Sequence, residues 1–200
     1  MQELKDGGPF RDSPSTDNIL AHAKASAKRG PAPVHLWNPP FCGDLDMRIA
    51  RDGNWFYLGT PIGRKSMVRL FSSIIRKDDD DYFLVTPVEK VGIRVDDAPF
   101  VAVDFDVSGS GQDQLVSFTT NVDEETVAGS ERPIRVERDP ETGEVSPYVL
   151  VRSNLEALID RKSFHRLVDL CVHEERDGES WFGLWSDGEF FPFIPSKELE

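Results

Sequence analysis

One heptad occurs twice in this chain, and the repetition limits the folds available to it. Arg64-Lys65-Ser66-Met67-Val68-Arg69-Leu70 returns as Arg161-Lys162-Ser163-Phe164-His165-Arg166-Leu167, 97 residues later and with five of seven residues identical. The apolar rhythm continues past the heptad, with Phe71, Ile74 and Ile75 matched by Val168, Cys171 and Val172. Tyr82-Phe83 is matched by Trp181-Phe182 at an offset of 99, so the intervening acidic loop gained two residues. Helix, acidic loop, aromatic-led strand, turn and strand therefore follow in the same order twice. The expected fold class is α+β, with two duplicated halves, each an antiparallel sheet packed with one main helix.

The remaining elements fit around this repeat. Residues 1–14 read as a flexible tail, rich in Gly, Pro and charge. A helix is expected over 15–30, capped by Ser15 or Thr16, with Ile19, Leu20, Ala23 and Ala27 on one face and Gly30-Pro31 as its stop. An N-terminal α+β domain is then expected over 31–96 and a C-terminal one over 97–197. Leu45, Met47 and Ile49 alternate with Asp44, Asp46 and Arg48, which is strand periodicity. Asp52-Gly53 supplies a hairpin turn towards Trp55–Leu58. The first heptad helix is expected to run to about Arg76, and Tyr82–Thr86 with Gly92–Val95 to form a second hairpin. Further strands are expected at Val101–Val107, Leu115–Asn121, Ile134–Arg138 and Val145–Arg152, and a short helical turn at Leu155–Ile159.

Charge narrows the list of partners. The chain carries 36 acidic against 23 basic residues, a net charge of −13. Such a field disfavours nucleic acid and anionic membrane surfaces as general partners. No apolar run is long enough to span a bilayer, and the polar start does not resemble a signal peptide. The two cysteines, Cys42 and Cys171, suggest neither a disulfide framework nor a zinc ribbon. A cytoplasmic protein is the expectation.

The stretches HLWNPPFCGDLDMRIARDGNWFYLGTPIGR, YFLVTPVEKVGIRVDDAPF and SPYVLVRSNLEALIDRKSFHRLVDL resemble a bacterial family known as domain of unknown function 1285. The resemblance covers nearly the whole chain after the tail. It implies a domain duplication, a C-terminal half loosely similar to pleckstrin-homology-like folds, and a ligand site between the halves. It also implies a nucleotide-type ligand and a role in signal transduction. It supplies no functional residues to carry over.

Two groups of residues are candidates for binding. Arg64 and Arg161 stand at helix starts, where the positive end of the dipole favours an acid. Either a carboxylate on the neighbouring sheet or a bound phosphate or carboxylate would offset them. Between residues 37 and 48, Trp37 and Phe41 offer stacking surfaces and Asn38 a donor and an acceptor. Asp44, Asp46 and Arg48 follow on one strand face, where Arg48 offers the acids a partner. The structural alternative is that Trp37 and Phe41 plug the open end of the sheet. His35 and Cys42 lack a third orienting group for nucleophilic chemistry, and Cys42 reads as a packed thiol. Cys171 reads as part of the apolar stripe of the second helix. The Asp78–Asp81 run lacks the pattern of a calcium loop, and no residues call for a metal or define a cofactor.

The preferred expectation is thus a non-enzymatic ligand-binding or regulatory protein that takes a small anionic or nucleotide-like molecule between its halves. One alternative is an enzyme acting on a small anionic substrate with Asp44 or Asp46 as acid/base. Another is a protein-interaction module using strand edges or the aromatic hairpin Trp181–Phe193.

Overall fold

The computed structural model describes residues 16–26 and 32–199. The expected tail and the last residues of the expected N-terminal helix lie outside these. Helix α1 (Thr16–Ser26) comes first. In the first half β1 (Phe41–Ile49), β2 (Trp55–Tyr57) and β3 (Thr60–Pro61) precede helix α2 (Lys65–Ser72). The strands β4 (Ile75–Asp78), β5 (Asp81–Val85) and β6 (Lys90–Val95) follow it. They form one sheet in the order β3-β2-β1-β6-β5-β4.

The second half opens with β7 (Phe100–Ser108), β8 (Leu115–Thr120) and β9 (Glu125–Val127). Then come β10 (Ile134–Arg138), β11 (Val145–Arg152), β12 (Leu155–Ile159) and helix α3 (Arg161–Val168). The chain closes with β13 (Val172–Arg176), β14 (Glu179–Ser186) and β15 (Glu189–Pro195). The sheet order here is β10-β11-β12-β7-β8-β9, with β13-β14-β15 as a separate small sheet. The protein is therefore α+β, with two similar halves that each carry a six-stranded sheet and a helix. The sheets are mixed rather than purely antiparallel: β1 pairs parallel to β6, and β12 parallel to β7.

The heptad folds as its periodicity requires, but over a shorter length. In α2, Phe71 is fully buried and Met67, Val68 and Leu70 half-buried, while Arg69 points to solvent and pairs with Asp123. The helix ends at Ser72 because two serines in succession turn back on it. Ser72 Oγ donates to Arg69 O at 2.8 Å and Ser73 Oγ to Leu70 O at 2.7 Å. The β-branched Ile74-Ile75 then leads into β4. Arg76, expected at the end of this helix, is instead a half-buried strand residue. Cys171 likewise falls beyond α3, where burial pushes its thiol up to about 12. Leu155–Ile159 is a strand, not a helical turn: Leu155, Ala157 and Ile159 alternate as buried residues with Glu156 and Leu158.

A single apolar core runs through both halves. Trp55 stacks on Phe71 with ring centroids 6.3 Å apart, and Phe105 lies 5.9 Å from Phe118. Ile19 and Ala23 of α1 are fully buried in the same core. Polar bonds fix how the halves meet. Asn121 donates through Nδ2 to Gly53 O at 3.1 Å and accepts through Oδ1 from Val101 N at 3.1 Å. Arg152 Nη2 donates to Ser72 O at 2.6 Å and its Nη1 to Glu124 Oε2 at 2.7 Å.

The Arg152 tie generates a prediction. Its side chain is only 19% exposed and lies over the Phe100 ring, so truncation strands a carboxylate and a carbonyl with little water to replace the donors. Arg152→Met is expected to cost about 2–3 kcal/mol in urea unfolding. An unchanged midpoint would remove this bond as a determinant of how the halves associate.

Candidate functional site

The chain returns from β11 to β12 through a two-residue turn, Ser153-Asn154, which Ser153 enters with a positive φ of 49°. Asn154 Nδ2 donates to Lys77 O at 3.1 Å on β4, so this turn of the second half is held against the outer strand of the first sheet. Between them lies a cleft of 530 Å³, also walled by the short turn at Val34–Leu36. Its charged lining is Arg76, Lys77 and Arg152 against a single carboxylate, Asp78.

The two arginines are already held by protein partners. Arg76 Nη1 donates to Trp37 O at 2.7 Å and Val34 O at 3.1 Å, and Nη2 to Asp78 Oδ2 at 2.8 Å. Its Nε lies 2.8 Å from Asp78 Oδ1, an ion-pair contact without hydrogen-bond alignment. Lys90 Nζ adds a contact of 3.3 Å to the same carboxylate. The bond from Arg76 is the main reason the Asp78 carboxyl is held below its ordinary value, with Lys90 adding to it and burial opposing. Burial pulls the Arg152 pKa down from the usual arginine value, while Glu124 opposes. Lys77 has no carboxylate partner among the described residues, and its Nζ sits 5.3 Å from the Tyr82 ring centroid. The cleft lining therefore combines two guanidinium groups held by protein partners with Lys77, whose ammonium has no carboxylate partner among the described residues. Ala32, Val34, Ile75 and Leu155 supply its apolar surface.

The residues singled out in the sequence are distributed differently. Trp37 is half-buried against the core and gives its carbonyl to Arg76, while Asn38 is exposed. Phe41 lies edge-on to Phe83 at 6.1 Å. It shares a 380 Å³ hollow with Asp44, Asp81, Tyr82 and Lys90. The Asp44 carboxylate lies over Gly92, where any Cβ would overlap it. Asp46 is exposed beside that hollow's strand. Arg48 partners neither acid: its Nη1 is 3.3 Å from Asp96 Oδ2, and it lies 4.9 Å from the Phe56 ring centroid. Cys42, read as a packed thiol, is exposed.

The two helix starts have diverged. Asp160 caps α3, its Oδ1 accepting from Ser163 N at 2.7 Å, so this helix start carries an acid for the dipole although that acid forms no ion pair with Arg161. Arg64 occupies the N-cap of α2 with no side-chain cap bond and no acid in the first turn. Arg161 lines a further cavity of 560 Å³. Structure thus brings Phe41 and Asp44 together and leaves Arg64 and Arg161 at separate places.

Sequence reasoning passed over Arg76, Lys77 and Arg152. The available signal was a cation closing an apolar strand directly before a Ser-Asn turn, in Val149-Leu150-Val151-Arg152. Among the described residues, no helix is long and apolar enough to cross a membrane. No group of three or more His, Cys, Asp or Glu among them is placed to hold a metal ion.

The N-terminal domain model of domain of unknown function 1285 matches residues 32–98, and the C-terminal domain model of the same family matches residues 99–193. The chain belongs to this family. It is similar to a solved family member from Silicibacter pomeroyi DSS-3, with 65% identity and a TM-score of 0.82 over 90% of this chain and 97% of the other. A second solved member, from Shewanella baltica OS155, is 29% identical over 62% of this chain and 91% of its own, with a TM-score of 0.49. A comparison with functionally curated proteins gives no match.

Two predictions follow from these charges. Replacing Arg64 by Asp puts a capping carboxylate where α2 lacks one, and is expected to stabilise the fold by about 0.5–1 kcal/mol. A loss of thermal stability in R64D would show instead that the arginine side chain is needed where it stands. Asp78 has a depressed pKa in the folded protein. Its contribution is therefore complete above the unfolded value of 3.8 and is lost as pH falls through the lower folded value. Asp78→Asn should flatten that acid limb of the stability profile, measured by unfolding at a series of pH values; an unaltered limb would remove Asp78 as its source.

Proposed function

We propose that this protein is a non-enzymatic ligand-binding regulator that takes a small anionic molecule, nucleotide-like in class, into the cleft between its halves. The observation that carries this reading is the excess of cations in that cleft, three against one carboxylate, in a chain of net charge −13. A local positive field inside an acidic protein attracts an anion to one place. Its volume suits a small molecule, since ligand clefts run from about 300 to 1,000 Å³ and are common where structural units meet. Lys77 supplies the direct contact, while Arg76 and Arg152 supply oriented charge at little further entropic cost. A role in cytoplasmic signal transduction, and a pleckstrin-homology-like character for the C-terminal half, belong to this reading through the family resemblance. The domain limits proposed with it are 31–96 and 97–197.

Native mass spectrometry of the purified protein followed by a thermal-shift screen of nucleotides tests the reading. Ligand at a hundredfold excess over Kd stabilises by about 2.7 kcal/mol, a rise of about 5–10 °C for a chain of this size. Lys77→Glu should abolish the rise and leave the melting of the unliganded protein nearly unchanged. Absence of a bound species together with no shift from any nucleotide would sink the proposal.

A further inference from the structure

The cavity at the start of α3 differs in chemistry from the cleft beside Lys77. Arg51, from the turn between β1 and β2, reaches across from the first half, and Glu144, Asp160 and Arg161 bring charge from the second. Both signs face this space in equal number, and most of the charged groups do not neutralise one another.

Arg161 has no carboxylate within ion-pair distance among the described residues. Among those residues its one side-chain hydrogen bond is a long one, Nε to His165 Nε2 at 3.5 Å, which leaves both terminal nitrogens as an open fork. The helix's own donors are already used: Asp160 Oδ1 accepts from Ser163 N, and Asp160 O accepts from Phe164 N at 2.8 Å. Among the described residues, neither the other Asp160 oxygen nor the exposed Glu144 carboxylate has a partner.

Arg51 is held more firmly. Its Nη2 donates to Ser146 Oγ at 2.8 Å and its Nε lies 3.3 Å from Asp97 Oδ2. Asp97 Oδ1 in turn accepts from the Tyr148 hydroxyl at 2.8 Å. Burial, first, and the neighbouring Asp97 push that tyrosine up to about 12, so it stays a donor.

At the matching place in the first copy, near the start of α2, the lining acids are Asp52 and Asp123. Both are satisfied, Asp52 by Asn54 and Asp123 by Arg69. Of these two cavities it is the one at α3 that keeps unpaired charges of both signs among the described residues.

A simple anion here would meet Asp160 and Glu144, and a simple cation would meet Arg161 and Arg51. A molecule bearing both charges satisfies both sets. Arg161 and Asp160 are consecutive residues in this lining, so a compact molecule with its two charges near each other can reach both. The rest of the wall is apolar, built by Val145, Pro147, Leu158, Ile159 and Phe164.

We propose that this cavity binds a small apolar zwitterion, an α-amino acid of the leucine or phenylalanine type. Its carboxylate sits on the terminal fork of Arg161, in the paired geometry guanidinium favours. Its ammonium meets the free oxygen of Asp160, its side chain lies against Phe164 and Pro147, and Glu144 at the rim repels a second negative charge. His165 is a positioning residue, fixing Arg161 through Nε so that the fork faces inward.

Titration of the full chain with L-leucine and L-phenylalanine, followed by calorimetry and thermal shift, tests the assignment. N-acetyl-leucine and leucine amide each lack one charge and serve as controls. Asp160→Asn keeps the helix cap, since Asn caps as well as Asp, but removes the charge; Arg161→Gln removes the fork. Both variants are expected to melt as the parent does and to bind leucine at least about tenfold more weakly. Lys77→Glu should bind leucine normally, so this result stands apart from that of the nucleotide screen. The assignment is overturned if neither amino acid shifts the protein at about 10 mM. It also fails if N-acetyl-leucine or leucine amide binds as well as leucine, or if binding survives in both variants.

Discussion

The parallel ladder between β1 and β6 is the constraint on which the first half depends. Parallel neighbours cannot be joined by a hairpin and need a crossover. Here the crossover is everything between them: β2 and β3 pair outward on one side, α2 crosses the sheet, and β4 and β5 return on the other. Asp44 paired with Gly92 and Arg48 with Arg94 set the register, with irregularities between those points. Once β1 and β6 are adjacent, α2 has one place to lie, and Phe71 reaches Trp55 because of it.

The second copy of the unit reaches the same arrangement and then departs from it. β15 runs beside β10, as β6 does beside β1, but without forming a ladder, so β13-β14-β15 becomes its own sheet. The strand that gains a parallel partner is β12, which pairs with β7, one of the three strands inserted between the copies. The small sheet is held by scattered bonds instead of a ladder, among them Asp187 N donating to Gln114 O at 2.9 Å. Ser186 Oγ donates to Ala128 O at 2.7 Å and accepts from Val116 N at 2.9 Å. Gln114 Nε2 donates to Trp185 O at 2.5 Å. Phe164 of α3 meets Phe193 at 5.7 Å. Gly183 permits the close approach within this sheet, since a Cβ would run into the Phe191 carbonyl and the Pro192 backbone.

Local periodicity made the two halves and most strands legible in the sequence. Period-2 alternation in Leu45-Met47-Ile49 and the turn residues Asp52-Gly53 are local signals, and the heptad could be compared with itself. Errors arose where two signals overlapped. The apolar stripe of α2 runs into Ile74 and Ile75, which fit both a helix and a strand, and only the serine bonds at Ser72 and Ser73 decide between them. Leu155–Ile159 is short and apolar before a helix, so its alternation was lost among helical neighbours, and its parallel partner β7 lies more than fifty residues back in the chain. The charged lining of the candidate cleft was the least legible part. Arg76 and Arg152 derive their importance from carbonyls and carboxylates far away in sequence, at Val34, Trp37, Ser72 and Glu124. No local pattern marks such a residue, whereas the aromatic, proline-rich stretch at Trp37–Phe41 is conspicuous yet spends its tryptophan on packing.

The way the two copies treat their charges connects the architecture to the candidate sites. In a chain with this much acid, most arginines find carboxylates: Arg135 pairs with Glu156 and Glu137, Arg138 with Glu198, Arg166 with Asp104. A cation that stays unpaired is then informative, because partners are abundant and a small rotation would reach one on an open surface. Lys77 and Arg161 each line a concavity formed where a turn of one half meets the other, and neither has a carboxylate within ion-pair distance among the described residues. Arg64 has no such wall and stands at a bare helix start, where its lack of a partner reflects solvent access. Concavity rather than charge alone separates the two cases. The packing of duplicated halves through unlike faces therefore creates the clefts and leaves some of their charges unmet.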